Sequence, residues 1–157
     1  MSLCWPCHHI RHEGIGVIVT FIVGPPGSGK TTWVKQHMSP GDLVVDMDYL
    51  YSALSFLEFR NNPDSLLPFV AEARDAVLNR LTRPSAIRKA WIVSSSPRIE
   101  LRHQMKSKHN AEIVVLDVPE DECIRRLNDG SRSEANVALM TEKVKEWWKV
   151  YTPGHSF

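Results

Sequence analysis

Short apolar runs divide this chain into regular units. Four of them, at 17–23, 43–45, 90–93 and 112–117, are rich in valine and isoleucine. Apolar side chains at consecutive positions suit strands covered on both faces, as in a parallel sheet. Between and after them the pattern changes to helical segments at 32–38, 49–59, 65–81 and 97–108. A further helix is opened by 118–122 and continued through 123–127, and the last runs from Glu134 to about Val150. Turn signals punctuate the series: Ser39-Pro40-Gly41-Asp42, Arg60-Asn61-Asn62-Pro63-Asp64 and Arg83-Pro84. Pro68 falls in a first helical turn, Ser96 precedes Pro97 as a candidate cap, and Ser133 is placed to cap the final helix. The alternation predicts an α/β, three-layer sandwich around a parallel sheet of four or five strands.

One junction in this pattern carries chemistry. Gly24-Pro25-Pro26-Gly27-Ser28-Gly29-Lys30-Thr31 fits G-x-x-x-x-G-K-[ST], between the first strand and the first helix. That is the P-loop pattern in the context the mechanism needs. Glycines let successive backbone N–H groups converge on phosphate oxygens, and the helix N-terminus adds partial positive charge. Lys30 is expected on the β- and γ-phosphates and Thr31 on Mg²⁺, with Thr32 completing the nucleotide site. The expected cofactors are therefore ATP and Mg²⁺, in a P-loop NTPase fold.

The second strand runs into Asp46-Met47-Asp48. Strand periodicity puts both carboxylates on one face, at the carboxyl end of the sheet where ligands bind. Asp48 is the candidate base for an attacking hydroxyl, and Asp46 the candidate for Mg²⁺ or its water. A plainer role for Asp48 is to cap the helix at 49–59. The helices at 49–59 and 65–81 are expected to cap the substrate side. The third strand delivers Ser94-Ser95-Ser96. A Walker B aspartate is absent there, which argues against an AAA-type motor. Arg126 and Arg132 are the lid candidates, with Arg125 next, because phosphoryl transfer needs positive charge over the transferred group. The helix at 97–108 carries Arg98, Arg102, His103, Lys106 and Lys108. It reads first as a solvated face and second as a polynucleotide contact. Trp147 and Trp148 lie in an apolar stripe and are expected in the core.

Composition narrows the class. With 157 residues, 43% hydrophobic and 24% charged, the chain suits one globular domain. A formal charge of +1 gives no electrostatic case for nucleic-acid binding. Apolar runs are too short to span a bilayer, and no signal peptide is expected. The three cysteines read as reduced thiols, hence a cytoplasmic expectation.

Residues 1–14 form a separate Cys/His-rich arm ahead of a P-loop domain at 15–157. Cys4 and Cys7 can supply half of a tetrahedral zinc site, the second half having to come from His8, His9, His12 or another chain; a simple N-terminal arm is the plainer reading. The stretch from Leu3 to His12 resembles the end of an HNH nuclease domain. It lacks the part with that domain's first catalytic histidine, so nuclease activity is not implied.

The run Pro26-Gly27-Ser28-Gly29-Lys30-Thr31-Thr32-Trp33, followed by Asp46-x-Asp48-Tyr49, resembles the small P-loop kinases. The likeness is strongest to polynucleotide 5′-hydroxyl kinase domains, with shikimate, gluconate and zeta-toxin-like kinases similar in outline. Pro119 and Arg125-Arg126 resemble the approach to a nucleotide-kinase lid. The resemblance implies ATP-dependent transfer to a nucleotide or a nucleic-acid 5′-hydroxyl, with Asp48 as general base. Polynucleotide kinases carry an acceptor-phosphate arginine three residues past the base. Here that residue is Tyr51, leaving Arg60, Arg74 or Arg98 as substitutes. Alternatives are a nucleic-acid-associated ATPase and a nucleotide-binding regulatory module. The acceptor and the oligomeric state are open.

Overall fold

The computed structural model describes residues 16–153; the arm with Cys4 and Cys7 lies outside the described residues. Four strands, β1 (Ile18–Val23), β2 (Leu43–Val45), β3 (Lys89–Ser94) and β4 (Glu112–Val115), form one sheet in the order β2-β3-β1-β4. All three pairings are parallel, with Phe21 opposite Ile92 and Ile113. The helices are α1 (Lys30–His37), α2 (Met47–Ser55), α3 (Leu67–Arg80), α4 (Ile99–His109), α5 (Glu120–Leu127) and α6 (Glu134–Val150). This is the expected three-layer α/β arrangement.

Alternation along β1 builds the two cores. Val19, Phe21 and Val23 face one way and join Val45, Ile92, Leu78 of α3 and Met105 of α4. Ile22 faces the other way, against Val34 of α1 and Trp91. Phe21, Ile22 and Ile92 are fully buried. Each such side chain contributes about 2 kcal/mol of transfer free energy against the ordering entropy. A third cluster, with Cys123 and Leu127 of α5 and Val144 of α6, packs that helix pair together.

Several boundaries differ from expectation for local reasons. The second strand stops at Val45, and Asp46, not Asp48, caps α2: its carboxylate accepts from the Asp48 N–H at 3.0 Å. Asp46 and Asp48 are therefore a cap and a first-turn residue, not neighbours on one strand face. The helix ends at Ser55 rather than 59 because Phe56 adopts φ 57° and closes it with a bond to Ser52 O. Ser55 Oγ also accepts from the Leu57 N–H, drawing the chain out of helical register.

α4 begins after Arg98 with no side-chain cap, so Ser96 is not its cap; Ser96 Oγ instead pairs with Ser94 Oγ. Nor is α4 a uniform basic face. Arg102 is buried and donates to the carbonyls of Ser96, Pro97 and Thr152. It ties α4 to the end of α6, where its guanidinium lies over the Tyr151 ring. Ser133 caps α6 as expected, accepting from Asn136 N–H, and Trp147 is in the core. Among the described residues, no helix is long and apolar enough to cross a membrane.

Candidate active site

The P-loop turns between β1 and α1, and its glycines are fixed by what surrounds them. A Cβ on Gly24 would lie 2.6 Å from both the Leu116 carbonyl and Ser28 Oγ. Gly27, at φ 79°, backs onto α5: a Cβ there would meet the Cys123 carbonyl at 2.7 Å. The loop is thus wedged between β4 and α5. α1 starts at Lys30, with Trp33 N–H donating to Gly29 O at 2.8 Å. Amides of that first turn are the helix's open donors, aimed where phosphate oxygens would sit.

Pro26, Gly27, Ser28, Gly29, Lys30, Thr31 and Thr32 all line one cleft of about 820 Å³. Gly24 and Pro25 do not; they act through their carbonyls, which accept from Lys30 Nζ at 2.8 and 2.7 Å. Burial is the main influence on Lys30, lowering its pKa to about 8 against the opposing pull of Asp46. Phosphate oxygens in the cleft would restore the charged form and draw the ammonium off the loop carbonyls.

Thr31 Oγ1 donates to Asp46 Oδ2 at 2.6 Å. Burial raises the pKa of Asp46, partly offset by that bond, and the charge of Asp48 raises it further. A hydroxyl and a carboxylate in contact at the cleft floor are hard oxygen donors that suit Mg²⁺. Among the described residues, no group of three or more His, Cys, Asp and Glu is placed to hold a metal ion. Thr31 and Asp46 would therefore hold Mg²⁺ together with phosphate and water oxygens, where it neutralises developing phosphoryl charge.

Asp48 faces the same cleft from the first turn of α2. Its Oδ1 accepts from Asn62 Nδ2 at 2.6 Å. Sequence reasoning treated Asn62 as part of a breaker and missed this contact; its position before Pro63 gave no signal of it.

The cleft's arginines come from four places. Arg126 reaches the Ser28 carbonyl at 3.5 Å and pairs with Glu122 at 2.6 Å. Arg132 also lines the cleft, donating to Asn136 Oδ1. Arg60 and Arg74 line it as well, whereas Arg98 and Arg125 do not. Arg125 is spent on Glu122, whose carboxyl is held down to about 2 by the two arginine bonds. Of the substitutes for the arginine missing at Tyr51, Arg60 and Arg74 are thus in reach.

Comparison with known proteins places this cleft in a family. Residues 19–153 match the AAA domain family. The chain belongs to that family. The carboxyl end of β3 that argued against a motor carries Ser94, its last residue, and then Ser95 in the cleft wall, not a carboxylate. The chain is 25% identical to Adenylate kinase 8 of Homo sapiens over 153 residues, covering 88% of this chain and 30% of that protein. It therefore spans about 30% of the length of the curated relatives it first matches. In structure it resembles a chain of the Pnkp1/Rnl/Hen1 RNA repair complex, with TM-score 0.57 and 14% identity, over 92% of this chain and 48% of that one. A gluconokinase from Sinorhizobium meliloti 1021 matches with TM-score 0.53 and 16% identity, over 90% of this chain and 78% of that one. These likenesses confirm the P-loop NTPase fold.

Proposed function

We propose that this chain is an ATP- and Mg²⁺-dependent phosphotransferase acting on a nucleotide or a nucleic-acid 5′-hydroxyl. The observation that carries the reading is the placement of Asp48, oriented by Asn62, across the cleft from the P-loop. A hydrolase needs only to position water, whereas a carboxylate fixed on a separate cap suits a hydroxyl brought by a second substrate. Likeness to Adenylate kinase 8 supports a kinase and leaves the acceptor to experiment.

In this reading, Lys30 and the loop amides hold the β- and γ-phosphates. Asp48 takes the acceptor hydroxyl's proton as the new O–P bond forms. The bond from γ-phosphorus to the bridging oxygen breaks, and ADP leaves. Arg126 stabilises charge on the donor side and Arg132 closes from the 128–133 loop. Thr31 and Asp46, with phosphate oxygens, would hold Mg²⁺, which would supply positive charge to the transferred group.

The test is transfer from γ-labelled ATP to a panel of 5′-hydroxyl oligonucleotides, nucleoside monophosphates and small hydroxylated metabolites. Label on one class establishes the kinase. Asp48→Asn should keep ATP affinity within about threefold and lose roughly 10³-fold in kcat, in the usual range for the loss of one general base. Unchanged transfer would remove Asp48 from the mechanism. Label released only as inorganic phosphate, more so with DNA, would favour the ATPase reading, which draws on the AAA domain description but has lost Arg102 as a contact.

A further inference from the structure

The carboxyl end of β3 brings to the phosphate end of the cleft a hydroxyl that the proposed transfer leaves unused. In the sheet, Ser94 lies opposite Val23, the last residue before the P-loop. Ser95 follows, level with Gly24, and neighbouring strands lie about 4.8 Å apart. The Gly24 carbonyl is one of the two that accept from Lys30 Nζ, at 2.8 Å. Ser95 therefore stands beside the ammonium that is to meet the γ-phosphate, and it lines the same cleft as Lys30, Thr31 and Asp48.

The three serines of this run are not equivalent. Ser94 Oγ and Ser96 Oγ lie 2.9 Å apart and satisfy each other, and Ser96 Oγ also reaches Met105 of α4. Ser95 is exposed in the cleft wall, and among the described residues its hydroxyl has no hydrogen-bond partner. Its backbone is held from two helices. The Ser95 carbonyl accepts from Nε1 of the buried Trp147 on α6. The next two carbonyls accept from Arg102 of α4, and Thr152 N–H donates to Pro97 O at 3.2 Å. A free hydroxyl on a fixed backbone is a nucleophile at high effective concentration, with little orientational entropy left to lose.

We propose that Ser95 is a self-phosphorylation site, whose hydroxyl accepts the γ-phosphoryl group of ATP bound in the same chain. The bond from Ser95 Oγ to γ-phosphorus forms, the bond from that phosphorus to the bridging oxygen breaks, and ADP leaves. The hydroxyl proton passes to the Asp48 carboxylate, which faces the same cleft. The phosphoserine carries a charge of about −1.5 to −2 at neutral pH and stands beside Lys30, in the place of the γ-phosphate. The modified chain accordingly binds ADP in preference to ATP. This inference rests on the phosphotransferase reading for its ATP site and its transfer step, and needs no external acceptor.

The experiment incubates the purified chain with γ-labelled ATP and Mg²⁺, with and without the acceptor panel, and locates the label by peptide fragmentation. Without acceptor, the wild type should take up close to one phosphate per chain on Ser95, at a first-order rate unchanged across a roughly tenfold range of protein concentration. Ser95→Ala should lose the label while keeping the wild-type melting temperature, and Ser95→Thr should carry it on the substituted hydroxyl. The phosphorylated chain should keep its ADP affinity within about threefold and lose roughly tenfold or more in ATP affinity, since like charges meet at Lys30. Label on Ser95 with none on any acceptor supports the site and overturns the acceptor reading instead. Label on an acceptor with none on the chain overturns the self-transfer and leaves the kinase reading standing. Label on neither overturns both. Label that survives Ser95→Ala, or whose rate rises with protein concentration, comes from another hydroxyl or another molecule and overturns the proposal. So does equal ATP affinity before and after phosphorylation.

Discussion

The two walls of the cleft are built on different terms. In the phosphotransferase reading proposed above, the donor wall is β1, the P-loop, α1 and α5, and the facing wall would take the acceptor. Val23, Gly24, Pro25, Ser28 and Val34 are buried there, and the loop is pressed against Leu116 and Cys123 on either side. The acceptor wall is α2, the 56–66 connection, α3 and the 128–133 loop. Phe56, Leu54 and Phe69 are 98%, 54% and 67% exposed, and Phe56 and Arg60 both adopt positive φ. Phosphate binding uses backbone amides, so it requires a rigid loop and little side-chain identity. Acceptor recognition uses long side chains on irregular backbone, so it can vary without disturbing the core.

Gly27→Ala is the most severe test of the difference. The added Cβ meets the Cys123 carbonyl, and φ 79° is unfavourable for alanine. Left-handed strain and overpacking together should cost about 2–4 kcal/mol of stability. ATP affinity should fall roughly 100-fold as the loop lifts from α5. A melting curve and calorimetry read both. Wild-type ATP affinity in this variant would mean the donor wall is not rigid.

Asn62→Ala sharpens the contrast from the other side. It removes the 2.6 Å bond to Asp48 without touching the P-loop. The expected result is about a tenfold fall in kcat, because the base loses its orientation, while KM for ATP stays within about twofold. Asn62→Asp should go further, since the amide that donates to Asp48 is replaced by a carboxylate that repels it. An equal rise in KM for ATP would mean the two walls are not separable.

The asymmetry also governs what the sequence disclosed. The P-loop was legible because a strand, a glycine loop and a helix must be contiguous for amides to converge. The four strands were legible because both faces of a parallel sheet are apolar. Asp48 lines the cleft, but not by the strand-face geometry expected: it enters from a helix whose cap is Asp46. Arg126 and Arg132 were named from charge alone, which could not tell them from Arg125, spent on Glu122 outside the cleft. Asn62 stayed hidden as a site group, and Arg60 was named only as one of three substitutes, because their positions depend on a short connection whose path follows from Phe56 and Arg60 adopting positive φ. Arg102 was misread because helical spacing gives no sign that its neighbours would be the carbonyls of Ser96 and Pro97 ahead of α4 and of Thr152 past the end of α6.

The donor wall should also respond to pH. Lys30 has a pKa lowered to about 8, and bound phosphates favour its charged form. Free protein loses the proton above that value while the complex keeps it, so binding takes up a proton. ATP affinity should be flat below pH 8 and fall by up to roughly tenfold per unit above it, a slope that Lys30→Arg should flatten. Stability of the ligand-free protein has the opposite sign. Between pH 8 and the ordinary lysine value the unfolded chain holds more of this proton, so the Lys30 contribution stabilises the fold as pH rises. A slope of zero in calorimetry across pH 7–9.5 would show that Lys30 is not the group the phosphates meet.

The smallest expected effect is that of Arg125→Ala, set against its neighbour Arg126. Arg125 and Arg126 share Glu122, but Arg125 is 72% exposed in its side chain and stands outside the cleft, whereas Arg126 reaches the Ser28 carbonyl within it. Arg125→Ala should change kcat by less than about twofold, because an exposed pair contributes little and Arg126 keeps Glu122 ionised. Arg126→Ala should lower kcat by roughly 10²-fold or more, since its charge acts where the transferred group develops negative charge. The two variants remove the same formal charge from adjacent positions, so general electrostatics would predict similar losses. A large Arg125 effect would mean that Glu122 positions Arg126 only when doubly held, and the donor wall would then extend to the surface of α5.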